Sequence, residues 1–292
     1  MLFGLGFAVA ALAAALGAVI ASALGQRSWT LAVQGLRSRL EAARTDDEPR
    51  GPEPPARYAE RELAGLPAPV QRYFRAVLQD GQPIVTAATI ACTGRFNLSP
   101  TGARWKPFTS HQRVTTRRPG FVWDARIALA PGLCVRVVDS CIRGQGLLRA
   151  ALQGLFTVAA QRGDGEIARG ELMRWFAESP WYPTALLPSQ GVRWAAVDDH
   201  SAQATVVDGP LSLTLLFRFD GAGLIGSFRA EARGALVGGQ MVMTPWEGVW
   251  SNYRPSMGMQ VPYTGEVAWM RPAGRRSYFV GTVTAIAFQL AP

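Results

Sequence analysis

The sequence is poor in the residues that most often carry catalysis and metal binding. Its 292 residues include two histidines, His111 and His200, and a single lysine, Lys106. His200 stands in an acidic turn and has no second histidine at the spacing that zinc sites use. The P-loop, HExxH and GxSxG patterns are also missing. The sequence therefore predicts no metal, no cofactor and no assignable catalytic residue.

Cysteine is scarce as well. Cys92, Cys134 and Cys141 stand in apolar, strand-like segments, and no two of them have the CxxC spacing. An odd count argues against a framework of structural disulfides. We expect free, buried cysteines, and a bridge between Cys134 and Cys141 is the alternative.

Almost all of the positive charge comes from arginine, and the formal net charge is +9. The arginines do not form a dense run interleaved with aromatic residues, as a groove for nucleic acid would require. We therefore do not expect nucleic-acid binding. An arginine surplus fits apposition to anionic lipid headgroups better.

The amino-terminal segment is a long apolar run. No charged residue occurs from Leu2 to Leu24, and a helix of that length can cross a bilayer. The sequence predicts a transmembrane helix over residues 1–26, in a single-pass protein of the bacterial inner membrane. A cleaved signal peptide is the alternative, because Ala21-Ser22-Ala23 resembles a cleavage site. The arginines that follow favour a cytoplasmic domain by the positive-inside rule.

Small residues recur along this predicted helix in two neighbouring rows. Such rows let a second transmembrane helix approach closely, so other membrane proteins are possible partners. The alternative is that alanine is simply abundant in this chain. The predicted packing residues are Gly6, Ala10, Ala14, Gly17, Ala18 and Ala21.

Three further segments follow the apolar run. Residues 27–44 continue in helical style and predict a juxtamembrane helix. Residues 45–56 contain four prolines and several acidic residues, which is typical of an exposed linker. Residues 57–292 then form one domain.

The pattern within this domain is mainly β (α+β). Short alternating segments separated by Pro-Gly and Asp-Gly turns predict about eleven antiparallel strands. Helices are predicted within residues 58–78, 146–160 and 167–178. Antiparallel sheets with this many strands usually curl. We therefore expect a strongly curved sheet, an open half-barrel, packed on about three helices. The predicted strands are 84–98, 103–115, 121–129, 133–140, 191–197, 201–207, 210–220, 223–233, 240–252, 262–270 and 277–289.

Candidate ligand-binding residues come from one helix and from the tryptophans. Glu171, Arg174 and Glu178 share a helical face, where Arg174 can pair with either carboxylate. One interpretation is an exposed salt-bridge ladder, and the other is a face that closes over a cavity and orients a polar headgroup. The nine tryptophans either fill the core or line an apolar pocket. The predicted ligand-binding residues are Trp123, Glu171, Arg174, Trp175, Trp181 and Trp246.

Several motifs resemble an uncharacterised bacterial family of unknown function over about residues 63–288. They include LPAPVQRY (Leu66–Tyr73), PGFVWDAR (Pro119–Arg126), GELMRW (Gly170–Trp175) and GEVAW (Gly265–Trp269). That resemblance implies a membrane anchor and transfers no activity. More distantly, the order of elements is similar to that of periplasmic lipoprotein carriers, whose half-barrel holds acyl chains between a sheet and its helices. This second resemblance implies a periplasmic domain, against the arginine count.

Three functions remain open at this point. The first is a membrane-tethered, non-enzymatic domain that binds a lipid or another hydrophobic ligand. The second is an accessory or assembly subunit of a larger membrane protein complex. The third is an enzyme acting on a lipophilic substrate, with Asp139 joining Glu171 and Arg174 at its site. A deep apolar cavity would favour the first, a filled core the second, and converging buried carboxylates the third.

Overall fold

The computed structural model describes residues 2–45, 54–99 and 101–292. In this range one antiparallel sheet of thirteen strands is accompanied by three α-helices. The helices are α1 (Leu2–Thr45), α2 (Ala68–Val77) and α3 (Glu166–Ala177). The strands are β1 (Val85–Asn97), β2 (Trp105–Thr115), β3 (Gly120–Ala130), β4 (Leu133–Ile142), β5 (Gln145–Leu152), β6 (Phe156–Gly163), β7 (Arg193–Asp198), β8 (Ser201–Asp208), β9 (Leu211–Phe219), β10 (Ile225–Val237), β11 (Gln240–Ser256), β12 (Met259–Arg271) and β13 (Gly274–Leu290).

The sheet consists of two meanders joined in the middle. The strand order is β6-β5-β4-β3-β2-β1-β13-β12-β11-β10-β9-β8-β7, so the first and last strands of the chain pair with each other. The opposite edges, β6 and β7, are consecutive in the sequence. The segment between them, which contains α3 and three short 3₁₀ turns, therefore crosses from one edge to the other. The prediction of a curved, open antiparallel sheet packed on helices is confirmed.

The main core lies on the face of the sheet that carries α3, called the inner face below. Leu172, Trp175 and Phe176 of α3 are buried there, together with Tyr73 and Phe74 of α2. Burying one such large apolar side chain contributes roughly 1.5–3 kcal/mol. The helix ends before Pro180, because the residue preceding a proline disfavours helical geometry.

The outer face of the sheet is covered by the second half of α1. Trp29, Val33 and Leu40 of this helix pack with Val122 of β3 in a separate buried cluster. The indole Nε1 of Trp29 donates a hydrogen bond to Oδ1 of Asp124 at 2.9 Å. Because side chains alternate between faces along a strand, β3 can serve both faces of the sheet.

The membrane prediction is not supported. Among the described residues, no helix combines the length and the apolar character that crossing a bilayer requires. The two helices expected over residues 1–26 and 27–44 are one continuous α1. Most of the predicted linker 45–56, and Met1 of the predicted membrane segment, lie outside the described residues.

The predicted small-residue packing face can be assessed at only part of its length. The surroundings of Gly6, Ala10, Ala14 and Ala18 lie outside the described part of the chain. Gly17 has open space around it and Ala21 is half-buried, so neither tests a contact with another protein.

Further along α1, Gly25 packs against the sheet of the same chain. A Cβ at Gly25 would lie 2.5 Å from the carbonyl oxygen of Gln153, in the turn between β5 and β6. The missing side chain therefore lets this part of the helix approach the edge of the sheet.

The prediction of a helix over residues 146–160 is wrong. This segment forms β5 and β6, joined by a tight turn in which Gln153 and Gly154 both have positive φ. These two strands raise the total from the predicted eleven to thirteen. Tertiary pairing overrides helix propensity here, since β5 is hydrogen-bonded on both sides, to β4 and to β6.

The prediction of free cysteines is confirmed. Cys92, Cys134 and Cys141 are all buried and unpaired by disulfides. Burial raises the pKa of the Cys92 and Cys141 thiols to about 12, so both are protonated and unreactive near neutral pH.

Candidate functional site

A cavity of about 480 Å³ lies between α3 and the inner face of the sheet. Its wall is predominantly aromatic and aliphatic, with polar groups concentrated on α3 and on the strands facing it. Five of the nine tryptophans contribute to the wall. These are Trp123, Trp181, Trp246, Trp250 and Trp269.

Glycines on neighbouring strands make room for aromatic rings along this wall. A Cβ at Gly265 would lie 2.6 Å from the Trp250 ring, and one at Gly281 would lie 2.6 Å from the Phe279 ring. Side chains at these two positions would force the rings away from the sheet. The glycines therefore help to set the shape of the cavity.

The cavity opens at the hairpin between β10 and β11. Leu236 and Met241 line the cavity and are also 56% and 43% exposed to solvent. Gly102, in the loop between β1 and β2, is another exposed lining residue. A ligand could enter between these two segments.

Arg174 of α3 stands at the centre of a hydrogen-bonded polar cluster. Its Nη1 donates to Oδ2 of Asp139 at 2.7 Å, and its Nε donates to Oε1 of Glu178 at 2.8 Å. Gln112 donates in turn to Oε2 of Glu178 at 2.6 Å. The guanidinium carbon also lies 4.7 Å from the centroid of the Trp123 ring. The positive charge of Arg174 is thus fully matched by protein carboxylates.

Glu171 lies one turn earlier on the same helix and has no such partner. It is 3% exposed, and its buried Oε2 accepts no hydrogen bond from any described residue. Burial, together with the nearby negative charge of Asp139, raises the pKa of Glu171 to about 8. Glu171 is therefore mostly protonated near neutral pH. The prediction that Arg174 can pair with Glu178 is confirmed. The interpretation of this helical face as an exposed salt-bridge ladder is wrong, because the face is buried.

Asp139 of β4 completes the pair of buried carboxyl groups. Its Oδ2 accepts the hydrogen bond from Arg174, whereas its buried Oδ1 has no partner among the described residues. Burial raises the pKa of Asp139 despite the positive charge of Arg174.

Arg233 of β10 is the second buried cation of the cavity. It is 9% exposed, and its guanidinium carbon lies 4.3 Å from the centroid of the Trp246 ring and 5.6 Å from that of Trp269. These two tryptophans stand directly opposite each other on β11 and β12. On its other side Arg233 lies against α3 at Gly170, where a Cβ would be 3.5 Å from its Nε. The guanidinium has no hydrogen bond or ion pair with any residue described.

Five of the six predicted ligand-binding residues line this cavity. Trp175 does not, because it is buried in the core and its Nε1 donates to the carbonyl oxygen of Thr115 at 2.9 Å. The five that the fold brings together are Trp123, Glu171, Arg174, Trp181 and Trp246.

Arg233 was missed by the sequence analysis because of a β-bulge. Phe228 and Ala230 face inward, so strict alternation would turn Arg233 outward. The register with β11 shifts between Ala230, opposite Trp246, and Arg233, opposite Thr244. One extra residue on β10 reverses the alternation and turns Arg233 toward the inner face.

Comparison with known proteins identifies the family. A model for a family of unknown function, DUF6920, matches residues 64–288. The chain belongs to the DUF6920 family. This confirms the family resemblance carried by the four motifs, and the DUF6920 region includes every residue that lines the cavity. None of the curated proteins compared with the chain matches it.

Two solved structures are distantly similar to the DUF6920 chain in fold. A LolA superfamily protein from Nitrosomonas europaea is 12% identical, with a TM-score of 0.37, over 70% of this chain and 87% of that one. A β-barrel-like protein of the domain of unknown function DUF1849 from Brucella abortus is 8% identical, with a TM-score of 0.22, over 70% of this chain and 99% of that one.

Proposed function

We propose that this domain binds a hydrophobic or amphiphilic small molecule in the cavity between α3 and the sheet. The observation that carries the proposal is the cavity itself, about 480 Å³ in volume and walled by five tryptophans. Pockets for small ligands span about 300–1,000 Å³ and are lined mainly by apolar and aromatic groups with a few polar ones. A filled core, which the accessory-subunit hypothesis anticipates, does not match this geometry.

The favourable free energy of binding comes mainly from the burial of apolar surface. Each Å² of apolar surface removed from water contributes roughly 25 cal/mol, and tryptophan rings offer large areas at little entropic cost. Trp123 and Trp246 are already held in place, by the Arg174 guanidinium and by a hydrogen bond to Tyr278, respectively. The wall is therefore organised before the ligand arrives, which limits the ordering cost of binding.

Native mass spectrometry of the full chain tests this proposal first, with titration by Nile red, a neutral hydrophobic dye, as a second readout. Val137 lines the cavity on β4, so Val137→Trp should fill part of it and weaken dye binding by about tenfold or more. Val207 is half-exposed on β8, and Val207→Trp is the matched control that should bind like the wild type. Equal dye affinity in all three proteins, with no co-purified small molecule, would refute the proposal.

A second candidate, an enzyme acting on a lipophilic substrate, is favoured by one observation. Glu171 and Asp139 both lie in the cavity wall, and the raised pKa of Glu171 suits a general acid near neutral pH. Incubation of the protein with any molecule that co-purifies with it separates the two candidates. A change in the mass of that molecule that Glu171→Gln abolishes would support catalysis, and an unchanged mass would support binding alone.

A further inference from the structure

Arg233 is a buried cation that makes no ion pair or hydrogen bond with any described residue, although the carboxyl groups of Asp139 and Glu171 are near enough to interact with its charge. A buried charge is costly unless it is paired. The faces of Trp246 and Trp269 offset part of that cost through cation–π attraction. The five N–H groups at the edge of the guanidinium, however, have no acceptor among the residues that the structure describes. Arg233 lines the cavity, so an acceptor can reach it from there.

The charge balance of the cavity wall also indicates that a cation lacks a partner. The acidic groups that line it are Asp139 on β4, Glu166 and Glu171 on α3, and Glu178 just after α3. The basic groups are Arg174 on α3, Arg233 on β10, Arg271 on β12 and Arg276 on β13. Four carboxyl groups thus face four guanidinium groups. Because burial raises the pKa of Glu171, this carboxyl group contributes little negative charge near neutral pH, and the wall carries an excess of positive charge.

The comparison with Arg174 shows which cation is unsatisfied. Both guanidinium groups rest on aromatic faces, but Arg174 contacts two carboxylates and Arg233 contacts none of those that the structure describes. Glu171 is the nearest acid in sequence to Gly170, against which Arg233 lies. In its protonated form it brings no negative charge to Arg233.

We propose that the ligand is an amphiphile with a single carboxylate, whose headgroup is bound by Arg233 while its apolar chain lies along the tryptophans. A planar carboxylate matches the two parallel N–H groups of a guanidinium, and its negative charge suits a cation that makes no ion pair with the described residues. This inference rests on the proposed function, since it names the class of ligand for the same cavity.

Three matched probes test the inference in the full chain at about pH 7, below their aggregation concentrations. Laurate carries a carboxylate, dodecanol has the same chain without charge, and dodecyl phosphate carries a larger charge. We expect laurate to bind about 10- to 100-fold tighter than dodecanol, the range of a charge-assisted hydrogen-bonded pair. Arg233→Gln should abolish that preference and leave dodecanol and Nile red binding unchanged.

Two further variants separate recognition from folding. Arg233→Lys keeps the charge but not the two parallel donors, and should retain an intermediate preference for laurate. Arg193→Gln removes an exposed cation on β7 that does not line the cavity, and should leave the preference within about threefold of wild type. If Arg233→Gln fails to fold, the Lys variant and the wild-type ratio of laurate to dodecanol still decide the question.

The results distinguish this inference from the proposal on which it rests. Absence of binding by dodecanol, laurate and Nile red would overturn both. Dodecanol and laurate binding equally well to the wild type would overturn only the carboxylate assignment. Dodecyl phosphate binding more than about tenfold tighter than laurate would likewise overturn it, in favour of a phosphate headgroup.

Discussion

The guanidinium carbon of Arg233 lies 4.3 Å from the centroid of the Trp246 ring, within a cage that spans four strands. Trp246 donates its Nε1–H to the hydroxyl of Tyr278 at 3.0 Å, and Tyr278 stacks on Trp269 with ring centroids 6.0 Å apart. The cage holds the cation in a buried position by aromatic contact and without an ion pair to any described residue. The N–H donors of Arg233 remain available to a ligand.

Trp246 should therefore affect both stability and recognition, in a way that two substitutions separate. Trp246→Phe keeps an aromatic face under Arg233 but loses the hydrogen bond to Tyr278, at a cost of about 1–2 kcal/mol in the free energy of unfolding. Trp246→Leu also removes the aromatic face, and should weaken laurate binding more than dodecanol binding. Urea unfolding and the two titrations measure these effects. An equal loss of affinity for laurate and dodecanol in Trp246→Leu would argue against a role of the cage in charge recognition.

Glu171 makes stability depend on pH in a predictable direction. Its pKa rises on folding, from an ordinary value near 4.5 to about 8, so the native state binds the proton more tightly than the unfolded state. The stabilisation is fully present below the unfolded pKa and is lost as pH rises toward 8. Asp139, whose pKa is also raised, contributes in the same direction.

We therefore expect the temperature of the thermal unfolding midpoint to decrease as the pH rises from about 5 to about 9. The total loss in the free energy of unfolding over this range should be several kcal/mol. Glu171→Gln carries no titrating proton, so its profile should be flatter and its stability above about pH 8 should exceed that of the wild type. Glu166→Gln, which alters a less buried acid on the same helix, is the control. A wild-type profile no steeper than that of Glu171→Gln would show that Glu171 is not held protonated.

The sequence predicts the features of this structure that depend on neighbouring residues, and misses those that depend on strand pairing. The eleven predicted strands all exist, because alternation and turn residues are local features. Residues 146–160 favour a helix by local propensity, and pairing of β5 with β4 and β6 makes this segment two strands. Arg233 was missed for a similar reason, since the bulge that turns it inward is defined by its pairing with β11.

The close approach of α3 to β5 depends on one glycine of that same segment. A Cβ at Gly146 would lie 2.6 Å from the backbone nitrogen of Ala168, a distance that real Cβ atoms do not tolerate. Because backbone on both sides must shift, we expect Gly146→Ala to lower the free energy of unfolding by roughly 1–3 kcal/mol. Gly35→Ala in α1 has open space and should be neutral or stabilising by up to about 1 kcal/mol. Chemical denaturation of the two variants measures the difference, and equal stability would show that α3 sits farther from β5.

Ligand binding should also depend on pH, through the same carboxyl group that destabilises the fold at high pH. Above about pH 6 laurate remains ionised, so its own charge does not change over the range considered. As pH rises through about 8, Glu171 ionises and supplies Arg233 with a competing negative charge, while Asp139 and Glu178 remain engaged by Arg174. We expect the affinity for laurate to fall by at most about tenfold between pH 7 and pH 9, and that for dodecanol to stay constant. Titration at several pH values measures this, and Glu171→Gln should bind laurate equally well across the range. A laurate affinity that rises with pH would mean that Glu171 and Arg233 do not share one site.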